Sequence, residues 1–134
     1  MTLAQRQKDM IDEINAVGDC FDQYSYLILQ SGLLPPFPEE LRQEGYLAKG
    51  CQSKVWLHAW KEGGRFHLRA DSDTLILRGV LALLIQLLDG ADPREVSETE
   101  LTLLQETQLA ATFTSDRSSG MRAVLQQIRK SALE

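Results

Sequence analysis

The sequence predicts an α+β domain in which a small antiparallel sheet of about three strands packs against several α-helices. Three observations predict it. Apolar residues recur at helical spacing near both ends of the chain. One central stretch, "KVWLHAWKEGGRFHLRAD", alternates with a period of two about Gly63-Gly64. The stretch that follows, "TLILRGVLALLIQLLD", is apolar almost all round, as a central helix under a sheet would be.

Each element follows in order. Leu3, Met10, Ile11, Ile14 and Val17 lie at helical spacing, so the chain opens with an amphipathic helix. "VGD" breaks it, and Asp19 can cap a second helix carrying Cys20 in its first turn, then Phe21, Tyr24, Leu27 and Ile28, with Gly32 as its stop. "LLPPFPEELRQEG", with Pro35, Pro36 and Pro38, reads as a stiff surface connection rather than a linker between domains. Tyr46 and Leu47 suit a short first strand. The Gly63-Gly64 hairpin turn then pairs Trp60 with His67, His58 with Arg69, Leu57 with Ala70 and Ala59 with Leu68. Val55, Leu57, Ala59, Phe66, Leu68 and Ala70 share a core face; Trp56, His58, Trp60, His67 and Arg69 share a partly wet one. Ser72 or Asp73 caps the apolar helix, whose glycine serves close packing. Asp92-Pro93 starts a short helix, "ETELTLLQETQL" reads as another helix or two fragments, and "TSDRSSG" as a turn and cap. The last helix carries Met121, Val124, Leu125, Ile128 and Ala132 on one face. There is no internal repeat, and residues 1–134 are expected to form a single domain.

Charge and thiol content narrow the function. The net charge is -5, whereas a general nucleic-acid-binding surface is basic, so no nucleic-acid partner is expected. "GVLALLIQLL" is about half the roughly 20 residues that span a bilayer, so no membrane association is expected. The N-terminus shows neither a signal peptide nor a transit-peptide pattern, which leads to the expectation of a cytoplasmic chain with reduced thiols. Two cysteines and two histidines with no paired spacing are too few for a structural zinc site, so no metal is expected. His58 and His67 read as solvated sheet-face residues, Asp71 to Asp73 as a strand end plus helix cap, and Ser118 and Ser119 lack a histidine partner nearby in sequence.

Cys51, in "GCQSKVWL", stands at the entrance to the first hairpin strand. Gly50 permits a tight turn there, and Lys49 and Lys54 flank the thiol with positive charge that favours thiolate if either stays close. No second cysteine follows within a few residues, so a thioredoxin-like pair is excluded. Residue chemistry leaves two readings open, a reactive thiol and a buried small hydrophobe.

"GCQSKVWL", then "ADSDTLILRGVLALLI", then "TSDRSSGM" together resemble the SufE family of sulfur-acceptor proteins, over nearly the whole chain. The Gly-Cys-Gln-Ser-x-Val-Trp stretch is the specific part. The resemblance implies an α+β fold and a carrier without a cofactor of its own. Such a carrier takes sulfur from a pyridoxal-phosphate cysteine desulfurase, SufS-like or CsdA-like, as a cysteine persulfide. It stimulates that enzyme and passes the sulfur toward a SufBCD-like iron-sulfur scaffold complex. The persulfide cysteine matches Cys51, with Gly50, Gln52 and Ser53 around it. The family's arginine of the R-S-x-G segment matches Arg117, a contributor to the loop environment or docking surface, and the D-S-D aspartate matches Asp73. Lys54 stands where other members often carry a different polar residue, and no role is transferred to it. The chain is expected to be an activator rather than an enzyme, as a monomer or homodimer.

Two alternatives stand beside this. One is a CsdE-type acceptor for a paralogous desulfurase, although the Gln52-Ser53 pair inclines toward the SufE branch. The other, from a different class, is an iron-sulfur scaffold or metal-binding protein, which needs about three or four thiolate-type ligands where only Cys51 is well placed. A redox sensor using Cys51 alone would instead react with peroxide without any partner.

Overall fold

The computed structural model describes residues 1–48, 54–113 and 115–134, leaving aside the side chains of residues 112 and 115–118. The chain runs α1 (Leu3–Val17), α2 (Cys20–Ser31), two single 3-10 turns (Glu39–Leu41 and Glu44–Tyr46), β1 (Val55–Glu62) and β2 (Arg65–Ser72). It continues through α3 (Leu75–Leu88), α4 (Pro93–Glu98), a third 3-10 turn (Leu109–Thr112) and α5 (Ser115–Leu133). The class is α+β, as the sequence predicts.

Thr2 caps α1 by accepting the Gln5 N–H at 3.1 Å. The helix buries Leu3, Gln7, Ile11 and Ile14, while Val17, expected on the same face, is exposed at the helix end. Asp19 caps α2 as expected. Its carboxylate accepts from Phe21 and Asp22 N–H, and Asp22 in turn accepts the Asp19 N–H, which makes a reciprocal capping box. The apolar face of α2 differs from expectation. Leu27 is buried, but Phe21 and Tyr24 face solvent, and Gln23 and Gln30 take the inner positions.

The hairpin register is the expected one, from Val55↔Ser72 through Trp60↔His67 to Glu62↔Arg65. The sheet has two strands among the described residues rather than about three. The expected first strand shrinks to one bridge, Leu47↔Trp56. The Tyr46 and Leu47 N–H groups close 3-10 turns onto Gln43 and Glu44 carbonyls, so no extended run forms before Ala48. Val55, Phe66, Leu68 and Ala70 are buried against the helices, and Leu57 and Ala59 are partly covered. α3 is buried on nearly all sides, as predicted. Its Gly79 does serve close packing: a Cβ there would lie 2.3 Å from the Leu27 carbonyl oxygen, so α2 crosses α3 with nothing between the backbones.

The start of α3 corrects the expected cap. Neither Ser72 nor Asp73 is the N-cap residue; Thr74 is, and its N–H is accepted by Ser72 Oγ at 3.2 Å. Asp92 caps α4 through the Arg94 N–H, with Pro93 in the first turn, as expected. The helix expected over "ETELTLLQETQL" does not form. After Glu98 the chain makes turns whose backbone bonds to side-chain amides: Gln7 accepts the Thr102 N–H and donates to Glu100 O, Asn15 donates to Glu106 O, and Gln23 accepts the Gln108 N–H. The segment "TSDRSSG", expected as a turn, is helical from Ser115 onward and forms the first turns of α5. Met121, Val124, Leu125, Ile128 and Ala132 are buried, as the spacing predicts.

Candidate functional site

Of the residues that the sequence singles out, Gly50, Cys51, Gln52 and Ser53, together with Lys49, lie outside the described residues. Arg117 lies in the first turns of α5, with its side chain outside the description. The described site is therefore the frame on either side of residues 49–53.

That frame is closely tied. The Ala48 N–H donates to Val55 O at 2.8 Å, beside the Leu47↔Trp56 bridge. Lys54 is held by three bonds. Its N–H donates to Asp73 Oδ1 at 3.2 Å, and its carbonyl accepts from Ser72 Oγ at 2.7 Å and from the Asp73 N–H at 3.3 Å. Asp73 thus anchors the return of the chain into β1, where the sequence suggested a helix cap. The reason is geometric: β2 ends at Ser72 directly opposite Val55 at the start of β1, which places Ser72 and Asp73 beside Lys54.

Asp71, the first aspartate of the same run, lies opposite Trp56 and is buried. One of its oxygens accepts from Arg42 Nη2, and the other accepts the Ser72 N–H at 2.8 Å. Arg78 Nε stands 3.1 Å from that second oxygen as an ion pair, without the alignment of a hydrogen bond. Arg42 also donates from Nε to Glu39 Oε2 at 3.1 Å. Its guanidinium carbon lies 5.1 Å from the Trp56 ring centroid and 5.5 Å from that of Phe37. The hydrogen bond to Asp71 is the main influence that holds the Arg42 pKa above its ordinary value, with burial acting against it. Sequence reasoning did not single out Arg42 or its pairing with Asp71. They are 29 residues apart and no local pattern connects them.

The outer face of the hairpin is a ladder of rings. His58 stacks on Trp60 at 4.8 Å and meets the edge of Tyr46 at 5.5 Å; His67 stacks on Trp60 at 5.4 Å. The two histidines are half-buried in this ladder rather than solvated. Asp89 Oδ1 accepts the Leu68 N–H at 3.0 Å and lies 3.3 Å from both His67 Nδ1 and Arg69 Nη1. Cys20, at the first position of α2, is half-buried and free. Among the described residues no group of three or more His, Cys, Asp or Glu could hold a metal ion, and no helix is long and apolar enough to cross a membrane.

The family model for SufE, described as an Fe-S metabolism associated domain, matches residues 8–132. The chain belongs to the SufE family. Among curated proteins, it is 34% identical over 109 residues to the sulfur acceptor protein CsdE of Escherichia coli, covering 80% of this chain and 74% of that one. It is 27% identical over 132 residues to an uncharacterised SufE-like protein of Synechocystis, covering 98% and 83%. The fold is shared with a hypothetical protein of Thermus thermophilus solved in solution, at a TM-score of 0.80 and 22% identity, over 96% of this chain and 93% of that one. The three stretches that carry the resemblance, residues 50–57, 70–85 and 114–121, all lie within the matched region.

Proposed function

We propose that this SufE-family chain is a sulfur acceptor and carrier. It takes persulfide sulfur from a pyridoxal-phosphate-dependent cysteine desulfurase onto Cys51, thereby stimulates that enzyme, and delivers the sulfur for iron-sulfur cluster assembly. The observation that carries the reading is family membership over residues 8–132, a span that includes Cys51. The tied frame adds physical support. Cys51 is three residues from Ala48 and three from Lys54, so covalent reach alone keeps its Cα within about 11 Å of both anchored stems. A thiol tethered so briefly to a fixed base suits delivery to a site on a docked partner, because the tether limits how far the reacting sulfur has to be brought.

The transfer is a thiol exchange. The Cys51 thiolate attacks the terminal, sulfane sulfur of the persulfide on the desulfurase cysteine. The sulfur-sulfur bond of the donor breaks, its cysteine leaves as thiolate, and Cys51 holds S–SH. No net oxidation or reduction occurs, and the rate follows thiolate fraction, leaving-group pKa and access. Carbon-sulfur cleavage belongs to the partner's cofactor. Gly50, Gln52 and Ser53 serve as loop and docking support next to the thiol, Asp73 anchors the chain's return at Lys54, and Arg117 contributes to the docking surface.

The desulfurase is SufS-like or CsdA-like. The 34% identity to CsdE favours giving the CsdA-like enzyme equal weight. The chain is incubated with each enzyme and cysteine, and its intact mass is followed with time. One added sulfur per chain is expected, with desulfurase turnover rising. Cys51→Ser abolishes both effects and leaves folding intact, whereas Cys20→Ser keeps them. Sulfur loading that persists in Cys51→Ser overturns the assignment.

A further inference from the structure

Arg42 stands where both stems of residues 49–53 meet. On the incoming side Arg42 belongs to the chain itself, two residues before the 3-10 turn that leads to Leu47 and Ala48, and its guanidinium lies over Phe37. On the returning side it lies over Trp56, two residues past Lys54 and bridged to Leu47. Below, it donates to buried Asp71, whose next two neighbours, Ser72 and Asp73, hold Lys54. Arg42 thus ties the approach, of which it is part, to the return through Trp56 and to the anchor through Asp71. Its side chain is 27% exposed, close enough to the surface to border a docked partner, and is held by Asp71 and Glu39.

We propose that Arg42 is a positioning residue for sulfur acceptance: it locks the two stems against each other and so sets the base from which the Cys51 thiol is presented. The proposal rests on the reading of Cys51 as the acceptor. The residue type suits the task. A planar guanidinium can stack on two rings and still direct separate N–H groups at two carboxylates, which a lysine ammonium cannot do. Nor does Arg78 replace it, because its Nε approaches Asp71 without hydrogen-bond alignment. Without Arg42 the Asp71 carboxylate keeps its charge but loses the donor that joins it to the incoming stem.

The test compares three proteins, all carrying Cys20→Ser so that Cys51 is the sole thiol of the chain: the parent, Arg42→Lys, and the double variant Arg42→Gln with Asp71→Asn. The double variant removes the buried carboxylate together with its hydrogen-bonded partner and leaves Arg78, 42% exposed, to solvent, and so guards against simple misfolding. Thermal melting, sulfur loading on incubation with desulfurase and cysteine, and alkylation of Cys51 by iodoacetamide are measured on each. Both variants are expected to melt cooperatively and to load sulfur about tenfold more slowly at saturating concentration, since small misplacements of a reacting atom cost one to two orders of magnitude. The concentration for half-maximal loading is expected to stay near the parent's, because positioning acts on transfer rather than on docking. Loading within about twofold of the parent overturns the proposal, as does a loss that only tracks the folded fraction. If the parent itself gains no sulfur, the sulfur-acceptor reading falls, and Arg42 is judged on alkylation alone. A change of about threefold or more in either direction then supports positioning, and an unchanged rate overturns it.

Discussion

In the hairpin, backbone hydrogen bonds join residues that lie around one turn, from Glu62↔Arg65 outward to Val55↔Ser72. Between α4 and α5 the same kind of groups are satisfied from far away. Glu100 O, the Thr102 N–H, Glu106 O and the Gln108 N–H bond to the side chains of Gln7, Asn15 and Gln23, which lie 85 to 95 residues earlier. Both stretches supply buried apolar residues: Phe66, Leu68 and Ala70 in one, and Leu101, Leu103, Leu104 and Leu109 in the other. They differ in where the backbone finds its partners. A chain whose polar groups pair locally takes the shape that its own pattern describes. A chain whose polar groups pair with distant amides is shaped by the elements that hold those amides.

The largest test of this contrast is in the hairpin core. Phe66 is fully buried, and its backbone ties β2 to the turn after α3 through the Phe66 N–H to Ala91 O at 2.8 Å. Phe66→Ala removes the ring and leaves a cavity, and about 4 kcal/mol of stability is expected to go with it, read from urea unfolding. A loss under about 1 kcal/mol would mean that the surrounding side chains collapse into the space and that the hairpin core is not a fixed packing.

A smaller effect is expected from the amide side. Gln23 is 1% exposed, and its side chain accepts the Gln108 N–H at 2.8 Å and donates to Gly18 O and Asn15 Oδ1. Gln23→Leu nearly keeps the volume but strips these partners, at a cost of about 2 kcal/mol. Hydrogen exchange separates this from a general loosening. The Gln108 amide should lose protection beyond the global change, while the paired strand amides of Trp60 and His67 follow the global change alone. Uniform loss across both regions would break the contrast.

The same distinction explains what could be read from the sequence. Period-two alternation and Gly63-Gly64 fixed the hairpin register, and Asp19 and Asp92 were legible as caps because a cap bonds within three residues of itself. Leu101 and Leu104 mimic helical spacing, yet the Thr102 N–H goes to Gln7 Oε1, so periodicity misread the segment. Buried Gln7 and Gln23 on the inner faces of α1 and α2 were the available signal, since a buried amide needs partners. At the candidate site, the motif around Cys51 was legible by resemblance. The roles of its neighbours were not. Asp73 looked like a cap because it precedes a helix, and it serves Lys54 because β2 ends beside β1. Arg42 carries no local signal at all; its importance comes from Asp71, Trp56 and Phe37 converging on it in space.

The smallest effect sharpens the local side of the comparison to a single dihedral. Gly63 and Gly64 have φ of 60° and 75°, the left-handed pair that a two-residue turn of this hand requires. A Cβ on Gly63 would meet nothing within 4 Å, so space is not the constraint. Gly63→Ala should therefore cost only the backbone penalty of the left-handed region, about 1 kcal/mol. Gly63→Asn should recover most of that loss, because asparagine tolerates this conformation. Chemical denaturation of both variants checks the ordering. If alanine and asparagine cost the same, the turn conformation is not what sets the register, and cross-strand packing between β1 and β2 takes that role. If alanine costs several kcal/mol, the turn supports more of the fold than its exposed position indicates.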